Sequence, residues 1–238
     1  MFSERTIYSW MPKKEISIFV AIPNMGEVVL GLALRCLRWA TDRRFKTTFY
    51  TPQGVRPIPK VRNLIAKEFL RSGFTHLMMV DADIVPPENV LDLALMGLDV
   101  VGALCPARQG GRTLYIALKS VPNSLYLEVI SPLPPSQLVE VDATGCGCLF
   151  VRREVFEGIE RPYFEYLRVD EEGLEFAGED FNFCRKVRGA GFKIYVHTGY
   201  ICEHWHKVDL RDSLIVPSSK PSQKVSVGEL LALVGGKD

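Results

Sequence analysis

The segment Thr75–Pro87 constrains this chain more than any other. An apolar run, Leu77 to Val80, stops at Asp81 and Asp83, and Pro86 and Pro87 follow at once. A short apolar run closed by a breaker is expected to be a buried strand. Two prolines cannot continue a hydrogen-bonded ladder, so the chain must leave the sheet there. The carboxylates therefore belong at the C-terminal end of a buried strand, where open α/β sheets bind ligands. In an extended segment Asp81 and Asp83 point to the same side. So placed, they can share a hard divalent cation and, through it, hold a phosphate. A pair of solvated loop aspartates is the plainer alternative, because Asp-x-Asp by itself is common.

The same grammar runs through the first half. Ile16 to Ile22 reads as a strand that enters the loop Pro23 to Glu27. Asn24 and Glu27 have the spacing of a capping box, ahead of a helix marked by Val29, Leu32, Ala33, Cys36, Leu37 and Ala40. Lys46 to Thr51 is a second strand. Val61, Leu64, Ile65 and Phe69 mark a second helix that Ser72 and Gly73 stop. Glu88 to Met96 reads as helical and Leu98 to Leu104 as another strand. This alternation implies an α/β fold with a mostly parallel central sheet and helices on both faces.

After Cys105 the pattern changes. Thr113 to Leu118, Ser124 to Ile130, Leu138 to Val141 and Cys148 to Val151 read as strands of a smaller mixed or antiparallel half. A helix over Glu179 to Arg188 and short strands over Lys193 to Val196 and Tyr200 to Cys202 follow. The expected organisation is one domain over 1–206 and a polar, proline-interrupted tail over 207–238. Within the domain, 16–105 would bind nucleotide and 106–206 would meet the acceptor.

Composition removes several function classes. The formal net charge is +1, so nothing advertises a nucleic-acid groove. No segment approaches the roughly 18 consecutive apolar residues of a membrane span. Met1 to Lys14 lacks the apolar core of a secretory signal, and six cysteines are scattered without a framework. Reduced thiols in a cytoplasmic protein, at most peripheral to a membrane, are the expectation.

Four further features can join the two aspartates. The Pro23 to Glu27 loop could hold a base or ribose, or be a plain strand-to-helix turn. Arg62 and Asn63, near a helix start, could meet a phosphate and a base or sugar, or be an exposed first turn. Glu179 and Asp180 open a helix; this suits the helix dipole, and it also suits Asp180 as a general base. His204 and His206 flank Trp205, and an imidazole there could complete a metal site. Structural zinc from Cys146, Cys148, Cys184, Cys202 and His204 is disfavoured, because the cysteines lack paired-ligand spacing.

Taken in order, these features resemble the GT-A glycosyltransferases, especially their family-two-like group. The matching segments are Ala21-Ile22-Pro23 with Gly26-Glu27, Arg62-Asn63, Val80-Asp81-Ala82-Asp83, Gly145 to Arg152, Gly178-Glu179-Asp180 and Cys202-Glu203-His204. The resemblance implies transfer of one sugar from a UDP- or GDP-sugar to a glycan, lipid or protein hydroxyl. It implies Mn2+ or Mg2+ as cofactor, with Asp83 the first ligand, Asp81 on the ribose or the metal, and His204 another ligand. His206 is the competing histidine. It also implies a donor site built from Ala21, Pro23, Asn24, Glu27, Arg62, Asn63, Asp81, Ala82, Gly145 and Gly147. Asp180, with Glu179 beside it, would be the catalytic base. The Gln-x-x-Arg-Trp signature of processive synthases is missing. Two rival readings are a nucleotidyltransferase and a transferase-like module that binds nucleotide or glycan without turnover.

Overall fold

The computed structural model describes residues 15–109, 112–122, 127–168 and 176–206. The chain divides into two units, Met1–Trp205 and His206–Asp238; His206 apart, the described residues belong to the first. The tail expected over 207–238 lies outside the described residues.

The strands are β1 (Ser17–Ala21), β2 (Lys46–Tyr50), β3 (His76–Val80), β4 (Ile84–Val85), β5 (Val100–Leu104), β6 (Pro106–Gln109), β7 (Arg112–Tyr115), β8 (Leu118–Ser120), β9 (Leu127–Val129), β10 (Leu138–Val141), β11 (Cys148–Arg152), β12 (Leu167–Arg168), β13 (Phe176–Ala177), β14 (Ile194–Ile201) and β15 (Glu203–His204). The α-helices are α1 (Leu30–Thr41), α2 (Ile58–Ser72), α3 (Arg153–Gly158) and α4 (Glu179–Gly189). Seven strands form the central sheet in the order β10-β14-β5-β11-β3-β1-β2. β1, β2, β3, β5 and β14 run one way, and β10 and β11 run against them.

Alternation along the strands builds two cores. Ile18 and Val20 of β1 and Met78 and Val80 of β3 face one side, with Leu32 and Trp39 of α1. Phe19, Ala21, Leu77 and Met79 face the other, with Ile65 and Phe69 of α2 and Phe183 and Val187 of α4. Strands covered on both faces must be apolar at every position, hence the unbroken run of β3. Each fully buried side chain such as Phe69 or Ile65 contributes about 2 kcal/mol. α2 ends at Gly73, whose φ of 77° is the left-handed conformation that closes a helix.

Several sequence expectations are corrected. α1 starts at Leu30 with Val29 as N-cap and no side-chain cap, so Asn24 and Glu27 form no capping box. Asn24 instead accepts the Gly26 N–H at 2.9 Å in an Asx-turn. Val90–Met96 is a 3-10 helix. The two short strands expected between Lys193 and Cys202 are one, β14, with an irregular register between His197 and Ile201. α3 had no foreseen counterpart. The sheet also does not divide at Cys105, because β11 inserts between β3 and β5 and β14 pairs with β5.

Candidate functional site

Both aspartates sit where the prolines require, just past the end of β3. The Asp81 N–H donates to Gly147 O at 3.1 Å, and the Ile84 N–H donates to Asp81 O at 3.0 Å, which turns the chain into β4. β4 pairs with β15, placing His204 opposite Ile84. The Trp205 N–H continues that ladder to Asp83 O at 2.9 Å. The ribbon brings His204 Nε2 to 3.4 Å from Asp83 Oδ2.

The imidazole is oriented from behind. His204 Nδ1 lies 2.6 Å from Pro106 O. A carbonyl only accepts, so Nδ1 carries the proton and Nε2 is the nitrogen turned toward Asp83. A backbone acceptor behind a histidine is the usual support of a metal-ligating ring. Asp83 and His204 can each offer one ligand atom, the two within 4.8 Å of each other. Carboxylate and imidazole donors at that spacing fit a divalent cation such as Mn2+.

Beside this pair lies a buried charge cluster. Arg62 is buried at the start of α2. Its Nη1 bonds Glu179 Oε1, and its Nη2 lies 3.3 Å from Asp81 Oδ1. Burial opposes the Arg62 charge, while Cys146 and the carboxylates Asp81, Glu179 and Asp180 raise its pKa. Asp180 is pushed up to about 6, chiefly by burial, against the pull of Arg62. Gly145 and Gly147 thread between the acids. A Cβ on Gly145 would stand 3.6 Å from Asp180 Oδ2, and one on Gly147 3.6 Å from Asp81 Oδ2. Arg62, Asp81, Gly145, Gly147, Glu179 and Asp180 thus form one cluster, which is linked to Asp83 through the turn from Asp81 to Ile84.

The other expected donor-site residues separate into two sets. Pro23 and Asn24 line a cavity of about 400 Å³ with Arg56, Pro57 and Tyr166. Arg56 and Tyr166 were not foreseen; the proline-rich run Pro52 to Pro59 was the available signal. Ala21 is wholly buried in the core, and Glu27 is exposed beyond the cavity lining. Ala82 O accepts from the Val29 N–H at 3.0 Å, fixing the approach to α1. Asn63 does not face a ligand. Its amide donates to Pro59 O and Phe164 O and accepts from the N–H groups of Tyr163 and Phe164, so all its bonding capacity serves the loop. Arg62 is likewise committed to carboxylates rather than free for a phosphate.

No protein-family model and no curated protein matches the sequence. Solved structures do match in shape. A197 from STIV aligns with a TM-score of 0.54 at 20% identity, over 81% of this chain and 87% of that one. GalNAc-T7, in a crystal structure with UDP, GalNAc and Mn2+, aligns with a TM-score of 0.52 at 13% identity. That match covers 83% of this chain and 45% of GalNAc-T7, so the chain spans less than half of that protein. The fold is GT-A-like. At these identities the likeness concerns the fold. No described helix is long and apolar enough to cross a membrane.

Proposed function

We propose that this GT-A-like protein is a metal-dependent glycosyltransferase that moves one sugar from a nucleoside-diphosphate sugar to an acceptor hydroxyl. The observation that carries the reading is the Asp83–His204 pair, held together by β4 and β15 just past the end of β3. GalNAc-T7, of the same fold, was crystallised with UDP, GalNAc and Mn2+, and this supports the ligand class.

In this reading Asp83 and His204 hold Mn2+ or Mg2+, with Asp81 supporting the ion or the ribose. When bound, the ion neutralises charge on the departing diphosphate. The cavity of Pro23, Asn24, Arg56 and Tyr166 takes the nucleoside. Gly145 and Gly147 let backbone approach the sugar. Asp180 accepts the proton of the acceptor hydroxyl, and a pKa of about 6 suits a base working near neutrality. Arg62 keeps Asp81 and Glu179 in place. The transferase domain occupies 1–206, with 207–238 as an appended tail. A cytoplasmic location agrees with six free cysteines.

The test is incubation with a panel of UDP- and GDP-sugars and Mn2+, with glycan, lipid and protein acceptors supplied. Release of nucleoside diphosphate together with a glycosylated acceptor is expected. Formation of a nucleotide sugar from a sugar phosphate and a nucleoside triphosphate would instead identify a nucleotidyltransferase. Donor binding without release would identify a binding module.

A further inference from the structure

A second cavity, of about 530 Å³, opens between α2 and the loop that follows α3. Lys60, Asn63 and Lys67 line it from the helix, and Arg161, Pro162 and Tyr163 line it from the loop. Spaced by three and then four residues, Lys60, Asn63 and Lys67 fall in one line along α2. Asn63, in the middle of that line, fastens the two walls together. Its Oδ1 accepts from the Tyr163 N–H at 2.9 Å and the Phe164 N–H at 3.2 Å, and its Nδ2 donates to Phe164 O at 2.7 Å. The backbone that carries Arg161 is thereby held against the helix face that carries both lysines.

The lining holds three cations and no acid. The acids near these walls are engaged by other cations: Glu68 pairs with Arg71, Glu157 with Arg153 and Glu165 with Lys186. Lys60, Lys67 and Arg161 form no ion pair among the described residues. Glu160, next to Arg161, is exposed and does not line the cavity. Even with Glu160 counted, the three unpaired cations leave an excess of positive charge. Arg161 is also held in place. Its Nε donates to the hydroxyl of the buried Tyr163 at 3.1 Å, and its guanidinium lies 5.6 Å from the centre of that ring. Its Nη1 and Nη2 keep no protein partner among the described residues.

We propose that this cavity binds the phosphate group of a small phosphate monoester, such as a sugar phosphate, at a site distinct from the candidate metal pair. A concave surface lined by one sign of charge raises the local concentration of anions. A guanidinium fork matches two phosphate oxygens, and two lysine ammonium groups add mobile point charges. Three cationic groups suit a dianion with three acceptor oxygens better than a carboxylate with two. The volume lies in the range of small-molecule sites and far exceeds a bare phosphate ion, so an organic body accompanies the phosphate. The exposed ring of Pro162 offers that body an apolar wall. The cavity shares no lining residue with the one formed by Pro23, Asn24, Arg56 and Tyr166. Phosphate binding here is therefore independent of the transferase reading.

The experiment is calorimetric titration of the full chain, free of divalent metal, with inorganic phosphate, glucose 6-phosphate, glucose 1-phosphate, glycerol 3-phosphate and uncharged glucose. At least one ester is expected to bind more tightly than inorganic phosphate, and glucose not to bind. The triple variant Lys60→Gln, Lys67→Gln, Arg161→Gln is expected to bind that ester at least about tenfold more weakly while keeping its circular-dichroism spectrum. Each single variant should weaken binding by a smaller factor, which keeps the test intact if the triple variant misfolds. A charge-matched control, Arg43→Gln, Lys46→Gln, Lys193→Gln, removes three exposed cations elsewhere and should bind as wild type does. Asp83→Ala should also bind as wild type does, which separates this site from a phosphate held through the metal pair. No binding of any phosphate by wild type, equal binding by the cavity variants, equal loss in the control, or loss in Asp83→Ala would each overturn the proposal. Inorganic phosphate bound as tightly as every ester would overturn the monoester.

Discussion

Arg62 and Glu179 form a buried ion pair between the start of α2 and the first turn of α4. The same guanidinium reaches Asp81 at 3.3 Å, so one cation ties the end of β3 to both helices. Low exposure of both partners keeps water from screening the pair.

Removing that cation should cost more than an ordinary surface change. Arg62→Met leaves Glu179 buried without its partner and is expected to lower stability by about 3–5 kcal/mol. The double variant Arg62→Met, Glu179→Leu should recover part of the loss. Urea denaturation of the three proteins checks this, and equal destabilisation of single and double variants would contradict a coupled pair.

Asp180 makes the pH behaviour specific. Its pKa rises from 3.8 to about 6, mainly through burial. Between those values the folded state binds more protons than the unfolded state, so this group's contribution to stability is full below the unfolded pKa and fades as pH rises to about 6. Catalysis has the opposite slope, because the base must be ionised. kcat/KM is expected to rise with pH through about 6, while Asp180→Asn flattens the stability change in that window and abolishes transfer.

Asn63 is expected to act through the loop it holds. Asn63→Ala removes bonds to Pro59, Tyr163 and Phe164 and should destabilise by about 1–3 kcal/mol. The same variant should weaken donor affinity only as far as Tyr166 loosens at the nucleoside cavity. A complete loss of donor binding in a stably folded Asn63→Ala protein would show a direct contact instead.

Crowding the glycine segment separates room from charge. A Cβ on Gly147 would meet Cys105 Sγ at 3.3 Å and Ile84 Cγ1 at 3.5 Å, close to Asp81. Gly147→Ala is therefore expected to cost about 1–3 kcal/mol by overpacking and to weaken donor binding. Gly145→Ala, whose Cβ would have ordinary contacts, should fold normally. Thermal melts with and without a nucleotide sugar distinguish the two.

Legibility from sequence followed the length scale of the interactions. β3 and its aspartates were readable because burial on both faces and two prolines act within a dozen residues. The parallel first half was readable for the same reason. The insertion of β11 between β3 and β5 was not, because a Gly-rich stretch followed by an apolar run carries no strand-order information. Asn24 and Glu27 matched a local capping pattern, yet the Ala82–Val29 bond set where α1 begins. Arg62 and Asn63 were read as ligand contacts or as an exposed first turn, whereas both are committed to protein partners. Their partners, Glu179 and the Tyr163–Phe164 backbone, lie so far along the chain that no periodicity could reveal them. Trp205 was read only as the residue between two histidines; its place beside the β4–β15 ribbon needed the strand register.

The most direct measurement is calorimetric titration of Mn2+, with and without UDP, into wild type, Asp83→Ala and His204→Ala. Wild type should bind the ion, and UDP should tighten that binding, because one site holds both. Each variant should bind Mn2+ at least about tenfold more weakly, as loss of one ligand implies, and lose the coupling to UDP. Unchanged Mn2+ affinity in Asp83→Ala, or no Mn2+ binding by wild type with UDP present, would contradict a metal held at the mouth of this sheet.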